Sequence, residues 1–159
     1  MADGSRRQFL KSAAIASPAA VMSASLTSAA DAEPPAAWTP LAIEPGPNYS
    51  RAMVYAGVAH VAGVLGVKPG TRDLASADFE GQCRQALENL KASVEAAGSR
   101  ADRVLKCTCF LTEAGDFAAM NRIYATFFPR NPPARSTVIV KALVLDGAKI
   151  EIDCVAAVV

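Results

Sequence analysis

The segment Asn131-Pro-Pro-Ala-Arg-Ser-Thr-Val-Ile-Val140 and the later segment Lys149-Ile-Glu-Ile-Asp-Cys-Val-Ala156 are two apolar stretches that each carry charge. In the first, two stiff prolines deliver one arginine, Arg135, to the start of a predicted strand. In the second, Glu151 and Asp153 alternate with apolar residues. Burying such charges is costly unless they are paired or bind a ligand. The two segments therefore predict either a salt bridge or a substrate site.

The dipeptide Asp146-Gly147, which lies between these segments, is typical of a two-residue turn joining antiparallel strands. It predicts a hairpin of strands at 137–145 and 148–158. In that register Arg135 lies about 20 Å from Glu151 along the hairpin, and its side chain is on the opposite face. An ion pair between the two within one chain is then excluded. We therefore predict that they meet only across a boundary between two copies of the chain.

Apolar periodicity in the rest of the chain predicts two helices and four more strands. The helices cover 76–97, with Ser76 as N-cap and Gly98 as a left-handed end, and 117–128, which Pro129 ends. The strands cover 38–43, 51–55, 58–62 and 103–112, with a turn at Ala56-Gly57 and a bend at Gly63. This order indicates a single α+β domain in which two helices pack on one face of a mixed sheet.

Residues 1–32 have the pattern of a twin-arginine export signal. Ser5-Arg-Arg-Gln-Phe-Leu-Lys11 precedes an Ala/Ser-rich apolar run and the cleavage motif Ala30-Asp-Ala32, with Ser28-Ala-Ala30 as an alternative site. The other interpretation is a disordered Ala-rich tail. The run is too weakly apolar for a membrane span. The sequence thus predicts an exported, periplasmic protein with one domain at 33–159 and no stable membrane association.

The charge balance argues against nucleic-acid binding. The chain has 16 basic and 15 acidic residues, and the predicted signal carries three of the former and two of the latter, so the remainder is neutral. Nucleic-acid binding depends mostly on neutralising phosphates with basic clusters, which this sequence lacks. We therefore predict no nucleic-acid partner.

The four cysteines are Cys83, Cys107, Cys109 and Cys154. Their spacing is not that of a metal site, and C-x-C on a strand points both thiols at one face. Buried thiols that act as small apolar groups are the favoured interpretation. Because export leads to an oxidising compartment, a bridge from Cys107 or Cys109 to Cys154 is the alternative.

Most familiar catalytic motifs are missing from the sequence, including phosphate-binding glycine loops and the nucleophile elbow. The single histidine, His60, argues against a histidine-based nucleophile or a multi-histidine metal site within one chain, and we expect it to be a packed strand residue. Tyr49 donates either to a ligand or to a backbone carbonyl, and Asn121 is either a ligand contact or a surface residue of its helix. The remaining candidates are Arg135, Glu151, Asp153 and the glycine bend at Gly63.

The two charged candidates each have a structural alternative. From spacing alone, Arg135 either binds a small carboxylate through two parallel hydrogen bonds or pairs with Glu151, Asp153 or Asp116. The hairpin register described above removes only Glu151 of the same chain from these alternatives. Glu151 either activates a water molecule as a general base or belongs to an ion pair.

Several separate motifs, in order, resemble the RidA (YjgF) family of reactive-intermediate deaminases over about residues 43–158. They are Gln85-Ala-Leu-Glu-Asn-Leu-Lys-Ala92 with Glu95-Ala-Ala-Gly98, Asp116-Phe-Ala-Ala-Met-Asn121, Pro133-Ala-Arg-Ser-Thr-Val138 and Ile150-Glu-Ile-Asp-Cys-Val-Ala156. The resemblance implies a chorismate-mutase-like fold, assembled as a homotrimer with active sites in the clefts between subunits. It implies hydrolysis of enamines and imines, such as 2-aminoacrylate, to 2-oxo acids and ammonia, without a metal or organic cofactor.

The resemblance also implies roles for individual residues. Arg135 matches the arginine that binds the substrate carboxylate, and Glu151 the glutamate that positions water. The implied substrate-binding residues are Tyr49, Gly63, Asn121 and Thr137. The chain departs from the family at Ala62-Gly63-Val64, where Ser-Gly-Gln is frequent, and at Thr137, often a cysteine. A non-catalytic trimer that binds a small molecule or a protein is therefore the alternative function.

Overall fold

The computed structural model describes residues 40–158. The predicted export signal and the start of the predicted strand at 38–43 lie outside the described residues. The strands are β1 (Leu41–Pro45), β2 (Ser50–Tyr55), β3 (Val58–Leu65), β4 (Val104–Leu111), β5 (Ala134–Ile139) and β6 (Ile150–Ala157). The helices are α1 (Phe79–Ala96), between β3 and β4, and α2 (Phe117–Phe127), between β4 and β5.

Within residues 40–158, six strands form one mixed sheet in the order β1-β2-β3-β6-β4-β5. Only the β4–β5 pair is parallel, and the other neighbours are antiparallel. The last strand, β6, lies in the middle of the sheet between β3 and β4. The predicted α+β class, with two helices on one face of a mixed sheet, is confirmed.

The core lies between the sheet and the two helices. Along β6, burial alternates strictly, as expected for a strand with one face against helices. Its buried residues Ile150, Ile152 and Cys154 belong to the same cluster as Leu90 of α1 and Met120 of α2. The opposite face carries half-buried residues and no helix within residues 40–158. Among these residues, no helix is long and apolar enough to cross a membrane.

The ends of α1 show one correction and one confirmation. The N-cap is Asp78, not Ser76: an Asp78 carboxylate oxygen accepts a hydrogen bond from the Gly81 amide at 2.8 Å. The Ser76 hydroxyl instead supports this cap, and it lowers the Asp78 pKa together with the Gly81 amide. At the other end Gly98 has φ +78°, and the Ser99 amide donates to Val94 O at 3.0 Å. The left-handed helix end is thus confirmed.

The predicted C-terminal hairpin is wrong. Asp146-Gly147 does form a turn, with φ +76° at Gly147 and a 3.0 Å hydrogen bond from the Ala148 amide to Leu145 O. However, among the described strands β5 pairs only with β4, and β6 pairs with β3 and β4. The strand–helix–strand unit β4-α2-β5 makes β5 parallel to β4, which leaves it at the sheet edge. The chain then returns through a loop to insert β6 in the centre.

The other turns and bends follow the prediction closely. Ala56 and Gly57 have φ of +49° and +75°, the conformation of a tight hairpin turn between β2 and β3. The bend predicted at Gly63 is a β-bulge, because the β3–β6 register shifts between Val61 and Val64. A second irregularity lies near Val104, where the β4–β6 register shifts. An unbroken strand would put Leu105 on the buried face with Cys107, but the shift buries Val104 and leaves Leu105 exposed.

Candidate functional site

Arg135 lies on the helix side of the edge strand β5, beneath α2. Its register partner on β4 is Cys107, which is fully buried on that side, so the two side chains share a face. One guanidinium nitrogen, Nη2, donates to Asn121 Oδ1 at 2.6 Å. The guanidinium carbon lies 4.6 Å from the centre of the Tyr124 ring and 5.8 Å from that of Phe117. The arginine is therefore held by one amide and two aromatic rings.

Arg135 has no carboxylate partner in the part of the chain that the structure describes. Within residues 40–158 it takes part in no ion pair, so the predicted alternatives with Glu151, Asp153 or Asp116 are not formed. By contrast, Arg51, the half-buried arginine of β2, is neutralised by Glu44 at 2.9 Å. Arg135 opens onto a cavity of about 380 Å³ whose other walls are Asn121, Tyr124, Ala125, Phe128, Pro132 and Pro133. This arrangement suits an anionic ligand.

Asn121 contacts the arginine rather than facing solvent alone. It is half-buried on α2, and its carbonyl oxygen accepts a hydrogen bond from Arg135. Among residues 40–158 its amide nitrogen has no hydrogen-bond partner, so this group can donate to a ligand. Thr137 lies two residues after Arg135 and pairs with Cys109, so it shares the face of Arg135. The structure thus brings Arg135, Asn121 and Thr137 together on one edge of the sheet.

Glu151 lies against Gly63, at a position away from Arg135. The two residues belong to the neighbouring strands β6 and β3, and a Cβ built on Gly63 would lie 2.0 Å from Glu151 Oε1. The carboxylate therefore lies directly over the bare backbone of the bulge. Burial raises the pKa of the Glu151 carboxyl, and the negative charge of Asp153 adds to the rise. A carboxylate with a raised pKa is a better proton acceptor than an exposed one.

Tyr49 and Gly63 line one large groove. The groove has a volume of about 890 Å³ and runs between the loop at 46–49, the bulge in β3 and one side of α1. Tyr49 is 71% exposed at its edge, and Asn89 of α1 closes the opposite wall by donating to Leu65 O and Val67 O at 2.9 and 2.8 Å. Gly63, which lies against Glu151 and also lines the groove beside Tyr49, thus links these residues in a second group, separate from the group around Arg135.

The two groups cannot meet within one chain. Glu151 pairs with Phe110 of β4, whereas Arg135 pairs with Cys107, so the residues are two strands and three register positions apart. That places their Cα atoms about 14 Å apart, at about 4.8 Å per strand and 3.3 Å per residue. The odd offset also puts the side chains on opposite faces. The predicted separation is found, but its cause is the intervening strand β4 and not a hairpin.

The sequence prediction missed Phe117 and Tyr124 as neighbours of Arg135. With Asn121 they recur at positions i, i+4 and i+7 of α2, so they form one stripe of the helix. That spacing was visible in the sequence. The contact between this stripe and Arg135 was not visible, because the predicted hairpin paired the β5 segment with the β6 segment and so placed it away from α2.

The cysteines are free and buried in the core. Cys107 and Cys154 are cross-strand neighbours, but no disulfide is formed among the described residues. Burial raises the pKa of Cys83, Cys109 and Cys154 to about 12, so these thiols stay protonated. His60, expected to be packed, is exposed on the helix-free face of β3. Within residues 40–158 no three histidine, cysteine, aspartate or glutamate side chains lie together so that they could hold a metal ion.

Comparison with known proteins gives consistent matches over the described region. The family model described as endoribonuclease L-PSP matches residues 39–158. Reactive Intermediate Deaminase A of Arabidopsis thaliana is 42% identical over 108 residues, which cover 68% of this chain and 57% of that protein. The 2-iminobutanoate/2-iminopropanoate deaminase of Dermatophagoides farinae is 34% identical over 117 residues, 74% of this chain and 91% of that protein. The crystal structure of YyfA, a Rid-family protein of unknown function from Yersinia pestis, superposes with a TM-score of 0.69 at 37% identity, covering 76% of this chain and 100% of that one.

Proposed function

The chain belongs to the RidA (YjgF) family, and from this premise we propose that it is a hydrolytic deaminase that converts small 2-imino or 2-enamino acids to 2-oxo acids and ammonia. The observation that carries the proposal is the half-buried guanidinium of Arg135, which lies at the wall of a cavity and forms no ion pair with any of residues 40–158. Two relatives whose names state a deaminase activity add support.

In this proposal Arg135 binds the substrate carboxylate. The planar guanidinium matches a carboxylate through two parallel hydrogen bonds, each worth about 1.5–3 kcal/mol when charged. Asn121 already accepts a hydrogen bond from one of the five N–H groups of the arginine. This bond orients the guanidinium so that its other N–H groups can donate to the ligand. Thr137, on the same face, borders the carboxylate.

Glu151 positions and activates the water molecule. A protonated imine carbon is electrophilic by itself, so the protein needs only to orient water and accept its proton. A 2-enamino acid enters this reaction after it has tautomerised to the 2-imino acid. Water then adds to the C=N carbon as Glu151 takes one of its protons, which gives a carbinolamine. Glu151 returns that proton to nitrogen, the C–N bond breaks, and the hydroxyl proton passes to the departing ammonia as the C=O bond forms. The products are one 2-oxo acid and one ammonium ion. In this scheme the substrate also contacts Gly63, which lies against Glu151, and Tyr49, which lines the groove next to Gly63.

Because Arg135 and Glu151 lie on opposite faces of one chain, we further propose that a complete site forms between subunits of a homotrimer. The helix-free face bears a row of apolar side chains beside Glu151: Phe110, which pairs with it, and Val138, which pairs with Phe110 and is 44% exposed. Such a row requires a cover. A Val138→Asp variant should sediment as a monomer and lose activity in the same step, whereas Leu41→Asp, on the far edge of the sheet, should do neither. A fully active monomer would refute the shared site.

The deaminase proposal is tested by kinetics on imines generated in situ. An amino-acid oxidase supplies the 2-imino acid, and the rate of 2-oxo acid formation is compared with and without the protein. Arg135→Ala should lower kcat/KM by about a hundredfold or more, since two charged hydrogen bonds are lost. Arg122→Ala is the matched control, because Arg122 is exposed on α2 and pairs only with Glu80 in the described region. No acceleration by the wild type over Arg135→Ala would end the proposal.

A non-catalytic binding protein of the same fold is the second candidate. The observation in its favour is that Gly63 is flanked by Ala62 and Val64, which offer no polar side chain to a substrate. Protection of the fold by a 2-oxo acid, without any turnover of imines, would favour this candidate. Although the family description names an endoribonuclease, we propose no nucleic-acid partner. A salt-dependent affinity for RNA would overturn that view.

We also propose that residues 1–32 direct export by the twin-arginine route. In a bacterial host, the full chain should be found in the periplasmic fraction, and a chain with Arg6→Lys and Arg7→Lys should stay in the cytoplasm. Equal distribution of the two chains would contradict this proposal.

A further inference from the structure

We propose that Tyr124 and Phe117 are positioning residues, whose rings hold the guanidinium of Arg135 in one orientation for carboxylate binding. This inference rests on the proposed function, because it concerns the same carboxylate site. It assigns a role to two residues of α2 that do not themselves need to touch the substrate. We call Tyr124, Phe117 and Asn121 together the arginine cage.

The geometry of the cage fixes the arginine in three ways. The guanidinium carbon lies 4.6 Å from the Tyr124 ring centre and 5.8 Å from the Phe117 ring centre, both within range of a cation–π interaction. The third contact, the 2.6 Å hydrogen bond to Asn121 Oδ1, holds one end of the fork. Two ring contacts and one directional bond leave the planar group little freedom to rotate.

The rings hold the cation without using its binding capacity. A guanidinium has five N–H donors, and Asn121 takes one of them. An aromatic face attracts the charge through its quadrupole, so it neither neutralises the cation nor occupies an N–H group. A carboxylate in place of the ring would neutralise the cation and would also occupy its N–H groups. The cage thus explains how Arg135 is ordered and yet retains the charge and donors that a ligand needs.

Tyr124 is itself firmly held. It is 5% exposed, and its ring packs against Phe128 at a centroid distance of 4.7 Å. Its hydroxyl is buried beside the Cys107 thiol, which is a weak hydrogen-bonding group, and has no stronger partner in residues 40–158. The ring, and not the hydroxyl, is therefore the part of Tyr124 that contacts the guanidinium. Phe117, which is 44% exposed, closes the cage from the solvent side.

An ordered arginine favours binding because less conformational freedom is lost when the ligand arrives. Disordering the guanidinium should therefore weaken carboxylate binding in the ground state and the transition state alike. The expected kinetic signature is a higher KM with little change in kcat. A variant that merely damages the fold would instead lower the active fraction and so reduce kcat.

The test is equilibrium binding of pyruvate, a non-reacting 2-oxo acid, measured by calorimetry on the whole chain. Tyr124→Leu should raise the Kd by about 3- to 30-fold, and Phe117→Leu by about two- to fivefold. Tyr124→Phe keeps the ring and should bind within about twofold of wild type. Phe127→Leu is the matched control, since Phe127 packs on Phe128 and not on the arginine.

Two further measurements separate positioning from general damage. Pyruvamide, which lacks the carboxylate, should show the same Kd for wild type and Tyr124→Leu. In an Arg135→Ala background, Tyr124→Leu should cause no additional loss of pyruvate binding, because the group that it orients is gone. If Tyr124→Leu fails to fold, the exposed position of Phe117 makes Phe117→Leu the deciding variant.

The outcomes distinguish this inference from the proposed function. Unchanged pyruvate binding in Phe117→Leu and Tyr124→Leu, or equal weakening for pyruvamide, would overturn the cage while deaminase activity could stand. Weakened pyruvate binding in a protein without turnover would support the cage and end the deaminase proposal. A wild type that binds no pyruvate would overturn the cage.

Discussion

Gly63→Ala should disable the proposed water-positioning carboxylate while it leaves the fold nearly unchanged. A Cβ at this position would lie 2.0 Å from Glu151 Oε1, 2.9 Å from Cδ and 3.2 Å from Cγ. All three atoms belong to the outer part of one flexible side chain, so the strain is relieved by moving the Glu151 side chain. The backbone at Gly63 does not have a positive φ, and alanine is therefore tolerated there.

The size of the effect follows from the required displacement. An ordinary contact begins at 3.4 Å, so the carboxylate oxygen must move by about 1.4 Å. Misplacement of a catalytic group by about 1 Å costs about a hundredfold in rate, or about 2.7 kcal/mol in the activation barrier. The change in unfolding free energy should stay within about 1 kcal/mol, because alanine also restricts the unfolded chain.

The assay is the coupled imine hydrolysis described above, with chemical denaturation on the same samples. Gly115→Ala is the matched control, since a Cβ at Gly115 meets no atom within 4 Å. We expect kcat to fall about a hundredfold for Gly63→Ala and to stay unchanged for Gly115→Ala. Full activity of a stable Gly63→Ala protein would refute the assignment of Glu151 as the residue that positions water.

Three other predictions concern stability and reactivity. The pKa of Glu151 is raised in the folded state, so its contribution to the unfolding free energy is largest at a pH below the ordinary glutamate pKa. This contribution is lost as pH rises through the pKa of the folded state. Glu151→Gln should therefore be more stable than wild type at pH 7, and denaturation below about pH 4 should show no such advantage. Gln82→Ala should lower the unfolding free energy by about 3 kcal/mol, because the buried side-chain amide donates to Ser76 O and Gly147 O and accepts from Lys149 N. Glu88→Ala, on the exposed side of α1, should change it by less than about 0.5 kcal/mol. The four buried thiols should react with a thiol reagent at pH 7 only after denaturation, and fast labelling of the native protein would contradict their burial.

Local features of the fold were predictable because local sequence determines them. The turn at Ala56-Gly57, the end of α1 at Gly98 and the bend at Gly63 each depend on a glycine in its immediate context. The N-cap of α1 was less certain, since Ser76 and Asp78 are both good capping residues two positions apart. The structure uses both, one as the cap and the other as its support.

Long-range pairing was not predictable from the same signals. Asp146-Gly147 is a strong local turn signal, but a turn does not decide which strands pair. Here Gln82 of α1 accepts from Lys149 N at 2.8 Å and donates to Gly147 O at 3.0 Å, so the turn is fixed against the helix. The order β4-α2-β5, which precedes this turn in the sequence, argued against the hairpin, because two strands joined by a helix usually pair in parallel.

The insertion of β6 at the centre of the sheet links the fold to the proposed site. As the central strand it must be apolar on its helix side, and Ile150, Ile152 and Cys154 meet this requirement. Its other side faces no helix in the described chain, so a carboxylate there, Glu151, avoids full burial, although partial burial and Asp153 still raise its pKa. Arg135 is instead confined to the sheet edge by β4. A topology that prevents these two charges from neutralising each other within a chain leaves both available to a ligand held between chains, which is the physical reason to expect a shared site.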